Sequence, residues 1–535
     1  MRGLRLALAA LILDLVLIQP NHPGAMTWGA LRLFPLELPV ILGLLVALPG
    51  RLRWFRLPLV AVLVAGAVLK LGDLATYTAL GRGFNPAVDW HLLDSGWNLG
   101  SGAVGPALMG GAVVVAGLVL LLLAAALWWA TGAWAGLSLR LPGRAMAGAV
   151  AIVGTVVAAA EVGQAMGRWQ LPVPPPGAAF TARLAVERAL TVRQTFADLA
   201  EFRTAAATDP ANAMSDPLQA LQGRDVLVVF VESYARTSFD NQAYAPTHRA
   251  VLQAAEGPLR AAGSAMLSGW LTSPIEGGQS WLAHATLSTG LSIPDETRFN
   301  ALLASPRRTL YQIARDAGWH TVAISPAITM AWPEGGRLGF DTLIDRDAMG
   351  YAGLPFNWIT MPDQFTLARF RDRLPPDPRP LFAQVTLISS HAPWVPVPVP
   401  VPWDKVGDGQ IFDPMTKGSD PPEVVWQDPT RIRDQYRQSI AYSLNVLMDW
   451  AARQGPAAGS NGGPLIVILG DHPPVAFVNQ IGSHDVPMHI IGPPGVLAAL
   501  QGWGWTPGLI PAADAPVWPM AAFRDRFLSA FGAAP

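Results

Sequence analysis

The sequence predicts a two-part protein: an N-terminal α-helical transmembrane bundle of about five spans, and a C-terminal α/β domain with a largely parallel central sheet covered by helices. Two observations predict this division. Long apolar runs fill the first third of the chain, whereas short β-rich runs alternate with amphipathic segments from residue 224 onward. The composition agrees, since 51% of residues are hydrophobic and only 14% are charged, while most acids and histidines lie beyond residue 200.

Charge and cysteine content exclude several classes of function. The formal net charge of −1 provides no basic field, so no nucleic-acid partner is expected. The chain contains no cysteine, which excludes disulfides, thiolate zinc sites and cysteine nucleophiles. Cysteine content alone leaves the cellular compartment undecided.

The predicted transmembrane domain covers residues 1–166. Each of its apolar runs approaches or exceeds the roughly 20 residues that a helix needs to cross a bilayer. The first run follows Arg2 and Arg5 but lacks a small-residue cleavage site, so we interpret it as a retained anchor and not as a signal peptide. The five runs are 3–19, 31–49, 57–76, 105–131 and 145–166.

Arginine positions predict the orientation of these spans. If the N-terminus is cytoplasmic, the opposite short loops 20–30 and 77–104 hold only Arg82, as the positive-inside rule requires. Five crossings then place residues 167–535 on the periplasmic or extracellular side of a multi-pass inner (plasma) membrane protein. The arginines on the cytoplasmic side are Arg2, Arg5, Arg51, Arg53, Arg56, Arg140 and Arg144.

A linker is predicted over residues 167–223. Its proline-rich start, 172–177, should be extended and fairly stiff. Residues 180–203 then form an amphipathic connecting helix, in which apolar positions alternate with Arg183, Arg188 and Arg193. This helix fits either a surface resting on anionic headgroups or an ordinary packing helix of the soluble domain.

The predicted catalytic domain covers residues 224–535. Continuous apolar strands separated by helices indicate a parallel sheet covered on both faces, and working residues gather beyond the carboxyl ends of such strands. The predicted strands are 225–231, 320–325, 381–388, 464–469 and 488–491. The predicted helices are 308–317, 363–373 and 431–454.

Acid, hydroxyl and imidazole side chains follow these strands. Glu232 comes directly after the first strand, Ser280 follows Gly277-Gly278, and Asp471-His472 follows a late strand. One sheet can gather these segments around a single divalent metal ion, with Zn or Mn suiting the ligands best and Mg as a further option. Such an ion would turn Ser280 into an alkoxide nucleophile at neutral pH.

Simpler interpretations exist for each residue. Glu232 also suits a helix N-terminal acid, Asp471-His472 suits a sharp turn, and Ser280 suits a plain N-cap. Thr286, Ser288 and Thr289 are alternative nucleophiles. The remaining candidates are polar residues near the expected site: His391 and His484 as proton donors, Arg236 and Arg298 as clamps for an anionic substrate, and His284 as a packing or supporting residue.

Together these motifs resemble the alkaline phosphatase and sulfatase superfamily. The resemblance rests on VVFVES at 228–233, the Gly-rich turn before Ser280, SSHAPW at 389–394 and LGDH at 469–472. The branch that fits the five spans and the connector is that of the membrane-anchored phosphotransferases, which includes lipoteichoic acid synthases and lipid A phosphoethanolamine transferases. The motifs cover about sixty residues, and the layout covers most of the chain.

The resemblance implies roles for individual residues. Glu232, Asp471 and His472 match metal ligands, and Ser280 stands where the family has a threonine nucleophile that also binds the metal. His391 matches a histidine that contacts the transferred group, and His484 matches a second late histidine. Trp332 matches an aromatic residue of the phosphoglycerol transferases, with Glu334 where those enzymes have an arginine.

Three functions are compatible with the sequence. The favoured one is a metal-dependent phosphotransferase that moves a phospholipid headgroup phosphate, of the phosphoglycerol or phosphoethanolamine type, to an envelope glycan or lipid acceptor through a covalent Ser280 intermediate. The second is a membrane-bound hydrolase of phosphate or sulfate esters. The third, a non-catalytic envelope scaffold, fits poorly with an intact Glu232, Asp471 and His472 set.

Overall fold

The computed structural model describes residues 2–48, 54–94, 96–97, 101, 105–454 and 462–533. The chain divides into two compact units, Met1–Asp198 and Leu199–Pro535. Arg51 and Arg53, which the orientation argument uses, lie outside the described residues.

Five helices occupy the positions of the predicted spans. Three of them, Arg56–Leu80, Pro106–Ala135 and Leu141–Ala165, are long and apolar enough to cross a membrane. Glu37–Ala47 is apolar but has only 11 residues, and Arg2–Ile18 has 17 residues that include Arg2, Arg5 and Asp14. At 1.5 Å per residue, these two helices are shorter than a bilayer core of about 30 Å.

The connecting helix Phe180–Ala206 begins inside the first unit. Glu37 Oε1 accepts hydrogen bonds from the amides of Thr181 and Ala182, at 2.7 and 3.0 Å. The guanidinium of Arg183 pairs with Glu161, and that of Arg188 pairs with Asp73. The structure therefore differs from the headgroup interpretation at these two arginines, because carboxylates of neighbouring helices already hold them.

The second unit is built on one sheet. The five predicted strands are confirmed, with ends shifted by at most a few residues, and four further strands were not predicted from the sequence. The strands are β1 (Val226–Val231), β2 (Ala265–Thr272), β3 (His320–Ile324), β4 (Thr342–Ile344), β5 (Leu381–Leu387), β6 (Leu465–Gly470), β7 (Asp485–Gly492), β8 (Thr506–Pro507) and β9 (Val517–Pro519).

The sheet is mixed and mostly parallel. Its order is β4-β3-β5-β1-β6-β7-β2-β8, with β9 beside β2. Strands β4, β3, β5, β1 and β6 run parallel to one another, whereas β7 runs antiparallel to both β6 and β2. The central part thus has the parallel arrangement that the continuous apolar strands predict.

Helices cover both faces of the sheet. Leu227, Val229 and Val231 of β1 belong to one buried cluster, and the alternating residues Val226, Val228 and Phe230 belong to another. Helix Pro429–Arg453 contributes to the first cluster and helix Ser280–Thr289 to the second. The other helices of the unit are Thr237–Asp240, Ala245–Ala261, Glu296–Leu303, Leu310–Asp316, Glu334–Arg337, Arg346–Met349, Asp363–Arg369, Asp413–Lys417, Pro422–Val425, Ala476–Asn479, Pro494–Leu497 and Phe523–Phe531.

The strand register brings the motif residues to one edge. Val231 pairs with Leu387 of β5 on one side and with Gly470 of β6 on the other. Because all three strands are parallel, the segments that follow them emerge side by side at the carboxyl edge. Glu232 and Asp471 are therefore neighbours although 238 residues separate them in sequence.

Candidate metal centre and nucleophile

Three ligand-type side chains meet at this edge. Glu232, Asp471 and His472 each offer one ligand atom, and these atoms all lie within 4.8 Å of one another. All three residues are buried. Buried charged groups need partners of opposite charge. The carboxylates of Glu232 and Asp471 therefore require positive charge nearby.

Asp471 holds this turn together and leaves one oxygen unused. Its Oδ1 accepts hydrogen bonds from the amides of Ser233 at 2.9 Å and His472 at 2.7 Å. Its Oδ2 is buried and has no hydrogen-bond partner among the described residues. A buried carboxylate oxygen without a donor fits a site that binds a cation.

His472 is oriented by its backbone. Nδ1 donates a hydrogen bond to the carbonyl of Pro473 at 2.8 Å, so in the neutral ring Nε2 carries the lone pair. Nε2 lies 3.1 Å from Glu232 Oε1 and 3.2 Å from the Ser280 hydroxyl. This is the tautomer that a metal ligand needs.

The pKa values in the cluster reflect its excess negative charge. Burial favours the neutral imidazole, but Asp471 and Glu232 outweigh it and raise the pKa of His472 to about 10. Burial also opposes ionisation of Glu232, yet the charge of His472 holds its pKa below the usual range. Burial and the nearby Glu232 raise the pKa of Asp471 above its usual range. One imidazolium leaves two carboxylates incompletely balanced, and a divalent cation would balance them.

Ser280 faces the same cluster. Its hydroxyl donates a hydrogen bond to Glu232 Oε2 at 2.8 Å. The serine is the first residue of helix Ser280–Thr289, and the N-cap position belongs to Gln279, so Ser280 is not the N-cap. The turn before it has positive φ at Gly277 (77°), Gly278 (151°) and Gln279 (63°), which glycines permit at the first two positions.

The alternative nucleophiles are engaged elsewhere. The hydroxyls of Thr286, Ser288 and Thr289 donate to backbone carbonyls of their own helix, at 2.8, 3.3 and 2.6 Å. All three residues are buried. Among the candidate hydroxyls on this helix, only Ser280 contacts the carboxylate and imidazole group.

The donor set fits a divalent metal. Glu232, Asp471, His472 and Ser280 supply carboxylate, imidazole and hydroxyl ligands, which suit Zn²⁺ or Mn²⁺. The unpartnered Asp471 Oδ2 supports the same conclusion. Mg²⁺ also takes oxygen ligands and would suit the two carboxylates.

His391 lies on the loop after β5. The hydroxyl of Ser390 donates to the carbonyl of Glu232 at 2.6 Å, which ties this loop to the cluster. Nδ1 of His391 donates to the carbonyl of Ala392, and the residue is exposed. Its position suits contact with a bound group, and that role stays a prediction.

His484 lies beside a carboxylate that the sequence analysis did not select. Its Nε2 is 3.5 Å from Glu276 Oε2. Glu276 is four residues before Ser280, immediately ahead of Gly277-Gly278. That position next to the turn before Ser280 was the signal in the sequence that could have identified it.

Two aromatic side chains near the site were also missed. The Trp426 ring stacks on buried Trp394 with centroids 5.8 Å apart, and Phe477 meets Trp426 edge-on at 6.1 Å. Phe477 follows the Asp471-His472 turn, and Trp394 follows His391. Trp426 and Phe477 are partly exposed, at 39% and 38%, so they form an apolar border to this edge.

The other predicted residues lie in different surroundings. Arg236 pairs with Asp240 at 2.8 Å and Asp485 at 3.1 Å and donates to the carbonyl of Ala513 at 2.9 Å. Substrate binding by Arg236 stays a prediction, and it would require these bonds to exchange. The Arg298 guanidinium donates to the carbonyl of Ser292 at 3.2 Å.

Trp332 and His284 complete the set. Trp332 lines a cavity of about 40 Å³ with Ser325 and Met330, and none of the cluster residues lines that cavity. A substrate contact through Trp332 stays a prediction. The His284 ring packs on Phe230 with centroids 3.9 Å apart, which agrees with the packing interpretation.

Comparison with known proteins agrees with the motif analysis. Residues 225–481 match the family model described as Sulfatase. No curated protein sequence matches the chain.

Several solved structures are similar at low identity. The phosphoethanolamine transferase EptA of Neisseria meningitidis is 14% identical, with 93% of this chain and 90% of that chain covered and a TM-score of 0.45. The phosphoglycerol transferase GacH of Streptococcus pyogenes is 12% identical, with coverages of 63% and 91% and a TM-score of 0.35. The lipoteichoic acid synthase LtaP of Listeria monocytogenes is 12% identical, with coverages of 55% and 70% and a TM-score of 0.34.

Proposed function

We propose that this protein is a membrane-anchored, metal-dependent phosphotransferase that uses Ser280 as its nucleophile. The observation that carries the proposal is the hydroxyl of Ser280, which contacts Glu232 at 2.8 Å and His472 at 3.2 Å within a buried ligand cluster. The sulfatase-family domain and the three helices long enough to cross a membrane support it.

Each side chain has a distinct task in this scheme. Glu232, Asp471 and His472 would hold the metal ion with Ser280. A bound divalent cation would lower the pKa of the Ser280 hydroxyl and supply an alkoxide near neutral pH. His391 and His484 would contact phosphoryl oxygens or the departing alcohol.

The donor we propose is a phospholipid whose headgroup carries a phosphodiester, of the phosphoglycerol or phosphoethanolamine type. Ser280 Oγ bonds to phosphorus, and the bond to the lipid alcohol breaks, which leaves the headgroup phosphate on Ser280. A hydroxyl of an envelope glycan or lipid then attacks the same phosphorus and releases Ser280. A domain outside the cytoplasm, on an inner-membrane anchor, would meet both donor and acceptor.

A hydrolase is the second candidate, because the matching family model is described as Sulfatase. In that case water replaces the acceptor hydroxyl, and the first half of the reaction is unchanged. Both reactions pass through the same covalent intermediate on Ser280.

The deciding experiment follows donor and product together. Purified full-length protein is incubated in vesicles of phosphatidylglycerol and phosphatidylethanolamine with an envelope lipid extract, and lipids and protein are examined by mass spectrometry. A headgroup phosphate on Ser280 and a headgroup-modified acceptor are expected. Free headgroup phosphate as the sole product would mean a hydrolase. No difference between wild type and Ser280→Ala would refute both.

A further inference from the structure

Glu276 is a nearly buried carboxylate beside the nucleophile turn. Its side chain is 8% exposed, whereas that of His484 is 43% exposed. Oε1 accepts a hydrogen bond from Asn479 Nδ2 at 3.2 Å, and Oε2 lies 3.5 Å from His484 Nε2. A shielded carboxylate therefore has one amide and one imidazole as its partners.

Backbone hydrogen bonds hold this group against the candidate metal centre. The amide of Gly277 donates to the carbonyl of Pro473 at 3.0 Å, which joins the segment of Glu276 to the turn after His472. The amide of Ser273 donates to the carbonyl of His484 at 3.0 Å. The two side chains are thus fixed near Ser280 by the loops that carry them.

Asn479 completes the support. The same amide group that donates to Glu276 also donates to the carbonyl of Ser483 at 3.1 Å, and Asn479 is 1% exposed. Because Ser483 precedes His484, this buried amide sets the position of both members of the carboxylate–imidazole pair. Such a pair fixes the orientation of the ring.

The exposed side of the His484 ring is available for proton donation. Nε2 of His484 faces Glu276, and Nδ1 makes no hydrogen bond to any residue that the structure describes. An imidazole held at one nitrogen and open at the other is the arrangement of a general acid.

We propose that Glu276 is a positioning residue that holds His484 as the proton donor to the leaving alcohol. The inference rests on the proposed function. Starting from the Ser280 alkoxide, the Oγ–P bond forms and the bond from phosphorus to the lipid alcohol oxygen breaks, with its electron pair on that oxygen. The Nδ1 proton of His484 passes to the same oxygen, and neutral His484 keeps its Nε2 proton toward Glu276.

This role predicts a dependence on the leaving group. A lipid alcohol is a poor leaving group and needs a proton as the bond breaks, whereas a p-nitrophenolate leaves without one. Loss of Glu276 should therefore slow the reaction of the phospholipid but not that of a p-nitrophenyl phosphodiester with the same headgroup.

The experiment compares Glu276→Gln, His484→Gln and the double variant, in full-length protein with its metal. A general acid contributes a factor of about 100 to 10,000 to the reaction rate. We expect Glu276→Gln to remove part of that contribution and to lower kcat on the phospholipid on the order of tenfold, with KM unchanged. In the double variant, Glu276→Gln should add no further loss to that of His484→Gln. Exposed Glu423, in helix Pro422–Val425, provides the matched control Glu423→Gln.

Three outcomes would overturn the proposal. Equal losses on both donors, or additive losses in the double variant, would mean that Glu276 does not act through His484. A rise in KM confined to a donor with an ammonium headgroup would make Glu276 a headgroup contact. If Glu276→Gln lost metal or folded poorly, Glu276→Asp, which keeps the charge with a shorter reach, would take its place. Failure of the proposed function is separate, because wild type would then equal Ser280→Ala on both donors.

Discussion

Gly470 passes the backbone of Tyr234 so closely that a Cβ at position 470 would lie 1.6 Å from the Tyr234 carbonyl oxygen. Gly470 ends β6, and Tyr234 follows the turn after β1. The contact brings Asp471 next to the amide of Ser233, which donates to Asp471 Oδ1 at 2.9 Å. A glycine is required here by close backbone approach.

Replacing Gly470 by Ala should separate these turns. Overpacking costs about 1–3 kcal/mol and sometimes more, and here the clash is with backbone that cannot rotate away. We expect a lower Tm and loss of bound metal, measured by thermal unfolding and elemental analysis. Gly495→Ala is the control, since a Cβ there has no neighbour within 4 Å. Wild-type Tm and metal content in Gly470→Ala would contradict this account.

Asp471 should be required for metal binding. We expect about one tightly held divalent ion per chain in the native protein and none in Asp471→Asn or Asp471→Ala, measured by elemental analysis. The Asn variant keeps an acceptor for the two amides that Oδ1 now holds, so it tests charge more than turn structure. Asp434→Asn removes a half-exposed carboxylate as a control. Native protein without metal would refute the mechanism.

Ser280→Ala should abolish turnover and leave the fold intact. The loss of one hydrogen bond to Glu232 costs only about 1 kcal/mol, whereas the nucleophile cannot be replaced. Ser280→Thr should keep part of the activity, because it retains a hydroxyl. Thr286→Ala and Thr289→Ala remove hydroxyls bonded within the helix and should affect stability more than turnover, as activity and Tm measurements would show. If Ser280→Ala were active and Thr289→Ala were inactive, the nucleophile would be Thr289 and not Ser280.

His489 should make the stability of the second unit, Leu199–Pro535, sensitive to acid. Burial lowers its pKa to about 3, and its ring is bonded to Tyr234 and Ser268 at 3.0 and 2.8 Å. Between pH 6.5 and about 3, the unfolded chain binds more protons than the folded one at this residue. Unfolding free energy therefore falls with falling pH, by up to about 1.4 kcal/mol per unit.

His489→Gln should weaken that dependence. The difference between Tm at pH 7 and Tm at pH 5 should shrink relative to wild type, even if both values are lower. His248 and His284, whose pKa values burial lowers to about 4 and about 3, have the same sign and should preserve part of the effect. An unchanged difference would mean that His489 contributes no pH dependence to stability.

The orientation of the chain can be tested with fusions at its C-terminus. Arginine asymmetry predicts that residues 167–535 lie outside the cytoplasm, so a phosphatase reporter should be active there and a fluorescent reporter that matures only in the cytoplasm should be dark. The opposite pattern would show that the number of crossings is even.

Local residue patterns determined much of the fold. Continuous apolar runs such as Val226–Val231 identified the central strands, because a strand covered on both faces has no polar side. The position of Glu232 and Asp471-His472 directly after such strands was enough to predict their meeting. Strand β2 was missed because Ser268 and Gly269 interrupt its apolar pattern, and β4, β8 and β9 are too short to show a period.

Strand direction and the partners of charged side chains depend on contacts between residues far apart in sequence, so only the tertiary structure revealed them. The apolar pattern of β7 does not encode direction, so its antiparallel pairing with β6 became visible only in the sheet. The sequence does not reveal the ion-pair partners of Arg236, which are Asp240 and Asp485. Glu276 and His484 are paired only because separate loops meet. The periodicity of apolar residues indicates which face of a helix or strand is buried. It carries no information on ion pairs between side chains that are far apart in sequence.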